Sequence, residues 1–256
     1  MPPPRANPSL ARGMDCRGTP AMVPPALRPP PGGTTMRLMA LYLTSIVCGF
    51  CMMALEILGG RFIQPAFGSS IDVWAAIISV FILSLSIGYV IGGRIADRAT
   101  SNAPLGWVIA AAGVFYCLMP WYGMPFMEAL GEGIKTARWG VLLAALILYL
   151  APSLLLGTVS PILVKLVFTN AAHVGRTTGT LYAIGSLGNV LGVLIADYLL
   201  LVYFSLNSNI FWMGVILGAL GLAHLAIRVP AASAVAPLTT GALPAPATGA
   251  AGGASA

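Results

Sequence analysis

The feature that most constrains this chain is the stretch from Gly140 to Val164, in which no residue is charged. A helix that spans a bilayer needs about 20 apolar residues, because every backbone polar group inside the hydrocarbon must be bonded within the segment. Six predominantly apolar runs of about this length occur, at 37–59, 73–93, 105–127, 138–160, 178–203 and 208–227. They predict an all-α integral membrane protein with six transmembrane helices.

Composition supports the same class. The chain is 58% hydrophobic and 8% charged, whereas a soluble domain has about 25% charged residues. The net charge of +6 is read first as a topology signal in such a protein. We therefore expect the lipid bilayer, and no nucleic acid, as the surroundings of this chain.

The fourth apolar run is irregular. Pro152 and Pro161 each lack a backbone N–H and favour a kink. The pattern predicts a bent helix followed by a separate short interfacial helix, "PILVKLVF".

The two ends of the chain differ from the apolar region. Residues 1–35 are rich in proline, glycine and arginine, and residues 229–256 are rich in alanine, proline and glycine. Neither segment has enough apolar surface to offset the entropy of ordering, so both are predicted to be disordered. Met36 is an alternative start, and the membrane domain is predicted over residues 36–228.

The basic residues predict the orientation. With the N-terminus inside, ten arginines and lysines fall on the inner side and three on the outer side, or six against three without the arm before Met36. Basic residues favour the cytoplasmic side. Both termini are therefore predicted to be cytoplasmic, in the inner (plasma) membrane.

Glycines recur at helical spacing in two of the runs. Gly88 and Gly92 lie four residues apart in the second run, as do Gly188 and Gly192 in the fifth. Small residues at this spacing let two helix backbones approach closely, so helix packing is the prediction. The functional alternative is that smooth helix faces permit rocking in a transporter.

Three charged residues stand out near the outer ends of the helices. Glu56 and Asp197 are predicted at similar depth, with Arg61 available as a partner for either. Two hypotheses remain open: an ion cluster that pins the outer helix ends, and a proton or cation site. No catalytic residue, metal site or cofactor is predicted.

The segment "GGRIADR" ends the second run and has the spacing Gly-x-x-x-Asp-Arg. It resembles the signature between the second and third helices of the major facilitator superfamily. Carried over, Gly93, Asp97 and Arg98 match that pattern, with Arg94 between them, and imply a cytoplasmic latch between helix ends. The superfamily's following Gly-Arg-Arg is replaced by Thr-Ser-Asn at residues 100–102. The resemblance implies one six-helix half of the superfamily fold.

Three longer segments resemble a more specific family, the fused proteins that join such helices to a cytoplasmic spermidine-synthase-like domain. They are residues 54–98, "LLLGTVSPILVKL" (154–166), and "GRTTGTLYAIGSLGNVLGVLIADYLL" (175–200). The chain after Arg228 has no aspartate, glutamate, lysine or histidine. The glycine-rich loop and acidic residues of a synthase domain are thus missing, and the chain is not expected to be an enzyme on its own.

Three functions follow as hypotheses. The first is a membrane anchor or substrate-handling module for a separate, soluble aminopropyltransferase-like enzyme. The second is a small, dimeric transporter of a polyamine or another cationic metabolite, because half of the superfamily fold needs a partner half. The third is a structural subunit of a larger membrane complex.

Overall fold

The computed structural model describes residues 31–133, 137–167 and 174–227. The helices are α1 (Pro31–Phe67), α2 (Ile71–Arg98), α3 (Ala103–Gly133), α4 (Ala137–Val167), α5 (Val174–Ile195) and α6 (Leu206–Ala226). α5 continues without a break through a π-helical turn (Ala196–Leu200) and a further α-helical turn (Leu201–Tyr203). All contacts given below join residues of the unit Ala40–Ala256.

Within the described residues, six helices are long and apolar enough to cross a bilayer. The chain is therefore a multi-pass membrane protein, as its hydropathy predicts. α1 runs to Phe67, eight residues past its predicted end, and begins at Pro31, inside the arm predicted to be disordered. The rest of that arm and the tail from residue 229 lie outside the described residues.

Local signals set two of the helix boundaries. Gly68 follows α1 with a φ of +79°, a conformation that glycine adopts without steric cost, and its N–H bonds the carbonyl of Gln64 at 2.8 Å. Ser205 precedes α6, and its side chain accepts a hydrogen bond from the Ser208 N–H at 3.4 Å. These residue types at these positions are typical of a helix end and a helix start.

α4 is one continuous helix that contains both Pro152 and Pro161. The prediction of a separate short helix beginning at Pro161 is therefore wrong. A proline removes one backbone donor, but close packing against a neighbouring helix supports the chain on both sides of it. A Cβ atom at Gly92 of α2 would lie only 2.6 Å from Cγ of Pro161, so α2 lies directly against this part of α4.

α1 is bonded to two of its neighbours by fully buried tyrosines. Tyr116 of α3 donates its hydroxyl proton to the carbonyl oxygen of Cys51 at 2.9 Å. Tyr149 of α4 donates to the carbonyl oxygen of Gly59 at 3.0 Å. Both phenol groups are 0% exposed, so each hydroxyl needs such a partner.

The remaining helices assemble through close pairs. α2 lies along α4, and α3 lies along both α6 and α4. A Cβ at Gly106 would approach the Gly221 carbonyl to 2.9 Å, and one at Gly113 would approach the Gly214 carbonyl to 2.8 Å, so α3 and α6 are antiparallel. The end of the bundle at which α1, α3 and α5 begin is called the N-terminal side below, and the other end is called the opposite side.

Candidate functional site

A cavity of about 190 Å³ lies between α1, α2, α4 and α5. Its polar lining residues come from all four helices: Ser45, Tyr89, Ser160, Tyr182, Ser186 and Asn189. Its remaining lining residues are Cys48, Gly49, Met52, Met53, Leu85, Leu156, Val159, Leu163, Leu181 and Gly185. Polar side chains are costly in hydrocarbon, so six of them on one cavity single it out as the candidate site.

Helical periodicity explains which residues reach the cavity. Tyr182, Ser186 and Asn189 are spaced i, i+4 and i+7 in α5, and therefore share one face. Ser45 and Met52 have the same i, i+7 relation in α1. This site was not predicted from the sequence, although the polar stripe in the fifth apolar run was a signal that could have indicated it.

Close contact between α1 and α5 positions the amide of Asn189. A Cβ at Gly49 would lie 2.7 Å from Oδ1 of Asn189, so the amide occupies space that any other residue at position 49 would fill. One turn away, Ser45 Oγ donates to the carbonyl oxygen of Leu181 at 3.5 Å. Asn189 is thus held against α1 at the edge of the cavity, where an amide offers both donors and an acceptor.

The cavity has a buried floor and an exposed rim. Cys48 of α1 and Leu156, Val159 and Leu163 of α4 are at most 5% exposed. Tyr89 of α2 and Tyr182 of α5 are 48% and 53% exposed. The cavity therefore opens at the surface of the bundle between α2 and α5.

The lining residues favour binding rather than catalysis. None of the described residues on the cavity is acidic or basic. Hydroxyl and amide groups position a solute by hydrogen bonds, and the tyrosine rings provide apolar and cation–π surface. Cys48 carries a thiol there, but no base stands beside it among these residues to activate it as a nucleophile.

The predicted charge cluster separates into a pair and a single carboxyl group. Nη2 of Arg61 lies 3.8 Å from Oδ1 of Asp197, and both side chains are about half exposed, at 52% and 47%. Asp197 lies in the π-helical turn, whose last carbonyl, that of Leu200, accepts a hydrogen bond from Asn209 Nδ2 at 2.8 Å. Within the described part of the chain, Glu56 joins no ion pair.

The predicted latch residues lie at the N-terminal side, where α2 ends. Arg94, Asp97 and Arg98 are exposed, and a Cβ at Gly93 would meet nothing within 4 Å. None of the three charged side chains forms an ion pair with a residue that the structure describes. Residues 168–173 are not among those residues, so the latch stays a prediction.

The four glycines singled out by their spacing lie where helices touch. Cβ atoms at Gly88 and Gly92 would lie 2.5 Å and 2.6 Å from the carbonyl oxygens of Leu154 and Thr158 in α4. Cβ atoms at Gly188 and Gly192 would collide with the carbonyl oxygens of Ile46 and Phe50 in α1. The contacts of Gly188 with Ile46 and of Gly192 with Phe50 also show that α1 and α5 run in parallel.

A polar cluster that the sequence did not reveal joins α1, α3 and α6 near the N-terminal side. Thr44 Oγ1 lies 2.8 Å from Nε2 of His224, and both residues are buried. Asn102 Nδ2 donates to the carbonyl oxygens of His224 and Ile227, at 3.0 Å and 2.8 Å. The cluster ties the end of α6 to its neighbours, and none of its residues lines the cavity.

In the described ranges, no group of three histidine, cysteine or acidic side chains lies close enough together to hold a metal ion. No family model matches the chain, and no curated protein or solved structure matches it. The two family resemblances described above therefore stay predictions.

Proposed function

We propose that this protein is a substrate-handling membrane module that holds a small hydrogen-bonding solute in the cavity between α1, α2, α4 and α5. The observation that carries the proposal is the convergence of six polar side chains on one cavity among membrane-spanning helices. In the full proposal, the module serves a separate, soluble aminopropyltransferase-like enzyme at the N-terminal side. The resemblance of residues 54–98, 154–166 and 175–200 to the fused synthase family supports that enzyme class.

The lining suits an amine. An ammonium or amino group donates hydrogen bonds, and the cavity offers acceptors on Asn189, Ser160 and Ser186. The rings of Tyr89 and Tyr182 add a surface that attracts cations. A polyamine, the substrate class of the resembled enzymes, is therefore the first solute to test.

Binding of labelled putrescine and spermidine to the purified protein in lipid nanodiscs tests the cavity. Asn189→Leu removes the amide at the α1–α5 contact and is expected to weaken binding by about tenfold, the effect of one lost hydrogen bond to a charged group. Ser86→Ala is the matched control, because Ser86 is exposed on α2 and bonds its own helix at Ile82. Equal affinity in all three proteins, or no binding of either amine, would contradict the proposal.

The partner enzyme needs a separate test. The tagged protein, purified from its native host in mild detergent, is expected to bring down a soluble synthase-like protein. A preparation without any such partner, from cells that contain the enzyme, would remove that part of the proposal and leave the binding result unaffected.

A dimeric transporter of a polyamine or other cationic metabolite is the second candidate, because the cavity is open on one side. α5 is the least buried of the six candidate spans, and Tyr182 on its exposed face borders the opening. A second copy placed against α2 and α5 would close the cavity and complete a twelve-helix arrangement of the major facilitator type.

Cross-linking and uptake distinguish the two candidates. Both cross-linking variants are made in a background without native cysteines. If two copies face each other, Tyr182→Cys is expected to form a disulfide between copies. Trp212→Cys, on the exposed surface of α6, is the control and is not expected to form one. Uptake of labelled amine into liposomes that contain this protein alone would favour the transporter. Binding without uptake would favour the module.

A further inference from the structure

Ser153 and Glu56 are polar side chains inside the bundle that have no partner among the residues that the structure describes. Ser153 of α4 is 0% exposed, and its Oγ forms no hydrogen bond with any of those residues. Glu56 of α1 is partly buried and forms no hydrogen bond or ion pair with the residues that the structure describes. Unpartnered polar groups are rare inside proteins and are costly in a low dielectric, so each needs an explanation.

The contact between Tyr149 and Gly59 shows that Ser153 and Glu56 belong to the same layer of the bundle, that is, to the same depth along its axis. α1 and α4 are antiparallel, so moving four residues on from Tyr149 and three residues back from Gly59 leads in the same direction along the bundle. The shifts are about 6 Å and about 4.5 Å at 1.5 Å per residue. Ser153 and Glu56 therefore lie at nearly the same depth.

The same contact shows that the two groups lie on facing sides. Ser153 is at i+4 from Tyr149, and thus on the face of α4 that is turned towards α1. Glu56 is at i−3 from Gly59, which contacts α4, and at i+7 from Gly49, which contacts α5, and thus on the face of α1 that borders both helices. The two orphaned groups stand opposite each other across the α1–α4 contact.

This layer adjoins the cavity. Met52 and Met53 line the cavity from α1, and Leu156 lines it from α4. Glu56 lies one turn beyond Met52 and Met53, and Ser153 lies one turn beyond Leu156, in both cases towards the opposite side of the membrane. The layer therefore adjoins that end of the cavity.

The serines of α2 differ from Ser153 in how their hydroxyls are bonded. Ser84 and Ser86 donate to the carbonyl oxygens four residues earlier, Val80 and Ile82, at 2.6 Å and 2.8 Å. That is the usual resting arrangement of a serine inside a helix. Ser153 makes no such bond, and its hydroxyl is left available to a group on α1.

We infer that Glu56 and Ser153 form a proton-binding site, separate from the Arg61–Asp197 pair. The Glu56 carboxyl group holds its proton in the folded protein and donates it in a hydrogen bond to Oγ of Ser153 after a rotation of the side chains. An ionised carboxylate without a cationic partner is much more costly inside a membrane protein than a neutral carboxyl group. A neutral carboxyl group also offers Ser153 both a donor, its O–H, and an acceptor, its C=O.

No other described group offers Glu56 a charge. On α1 and α5 the charged groups towards this end of the bundle are Arg61 and Asp197, which pair with each other, and the other titratable groups of α1 nearby are the free thiols of Cys48 and Cys51. On α3 and α4 the titratable side chains in the adjoining turns are Tyr116, Tyr122 and Tyr149. The hydroxyls of Tyr116 and Tyr149 bond backbone carbonyls, Tyr122 lies near Tyr149, and none of the three carries a positive charge. α2 carries no charged residue from Val73 to Gly93, and its one ionisable side chain there, Tyr89, lines the cavity.

Infrared spectroscopy of the protein in lipid nanodiscs tests the site directly. A protonated carboxyl group gives a C=O stretching band above the amide bands, and we expect this band at neutral pH. Glu56→Gln should abolish it, whereas Asp97→Asn and Asp197→Asn should leave it unchanged. Ser153→Ala should move the band to higher frequency because the hydrogen bond is lost, and the matched variant Ser84→Ala should not.

Three outcomes would overturn the inference: no carboxyl band at neutral pH, a band that survives Glu56→Gln, or a band that Ser153→Ala does not move. If Glu56→Gln does not fold, the band can be assigned by isotope labelling instead. In the double variant Glu128→Gln/Glu132→Gln, Glu56 is the remaining glutamate. Labelling glutamate with ¹³C at its carboxyl carbon must then shift the band. The measurement requires no solute, so a failure of amine binding or uptake leaves it standing.

Discussion

The ring of Tyr149 in α4 covers Gly59 in α1, with the phenol oxygen 3.0 Å from the glycine carbonyl oxygen. A Cβ at Gly59 would lie 2.9 Å from Cζ of the ring, so a glycine is needed for this contact. The contact fixes how far α4 is displaced along α1. The depth of Ser153 relative to Glu56 follows from it.

Removal of that hydroxyl tests its contribution to stability. Tyr149→Phe is expected to lower the free energy of unfolding by about 0.5–1 kcal/mol, typical of hydrogen bonds between membrane helices. The effect stays small because the Gly59 carbonyl keeps its bond within α1. Thermal unfolding in nanodiscs measures it, with Tyr198→Phe as control because Tyr198 is 70% exposed. An equal loss in both variants would show that the bond contributes nothing specific.

Two glycines of the same helix provide a matched test of helix contact. Gly188→Ala would drive a methyl group into the Ile46 carbonyl, whereas a Cβ at Gly179 meets nothing within 4 Å. We expect Gly188→Ala to destabilise the fold by about 1–3 kcal/mol, because the backbones must separate. Gly179→Ala should be neutral or slightly stabilising, because alanine favours the helix. Chemical unfolding measures the free energy of unfolding of both variants. A similar value for the two would refute the prediction.

The buried threonine predicts the tautomer of His224. Thr44 Oγ1 lies 2.8 Å from the Ala40 carbonyl and 2.8 Å from Nε2 of His224. A carbonyl oxygen only accepts, so Thr44 donates its single proton to Ala40, and Nε2 must then be the donor to Thr44. Nitrogen NMR of protein labelled with ¹⁵N-histidine is expected to show the Nε2–H tautomer, with His173→Gln used for assignment. A neutral ring protonated at Nδ1 would rule this arrangement out.

Native cysteines report access to the cavity. Cys48 lines the cavity and is 5% exposed, whereas Cys51, one turn away, is 0% exposed and does not line it. In a Cys16→Ser/Cys117→Ser background, a small thiol reagent is expected to modify Cys48 and leave Cys51 largely unmodified, as read by mass spectrometry. Ser186→Trp, which fills the cavity, should slow the modification of Cys48. Faster reaction of Cys51 would contradict the cavity.

The helical architecture was predictable from the sequence, but the ends of its elements were less so. Each apolar run is long enough to span a bilayer, where the helix is the one arrangement that bonds its own backbone. The ends of α1 were missed because Gln64 and Pro65 do not look apolar, although they continue the helix. The continuity of α4 through Pro161 was missed for a different reason, since support from α2 lies outside any local pattern.

The candidate site was predictable only in part. A similar depth for Glu56 and Asp197, with Arg61 as an available partner, was predicted from the sequence, but depth along an axis does not say which way a side chain faces. The structure pairs Arg61 with Asp197, and Glu56 joins no ion pair among the described residues. Ser45, Ser160 and Asn189 look unremarkable in three separate runs, and their meeting at one cavity depends on how each helix is rotated.

By itself, the sequence determined that this is a multi-pass membrane protein, with six helices in its described part that are long and apolar enough to cross a bilayer, because the hydrophobic length of a segment and the bonding of its backbone are local properties. Tertiary structure alone decided which polar side chains meet, because helix rotation and register are set by contacts between distant residues. Gly59 with Tyr149, and Gly188 with Ile46, are such contacts. A rotation of one helix by a single residue, about 100°, would turn its polar side chains away from the cavity.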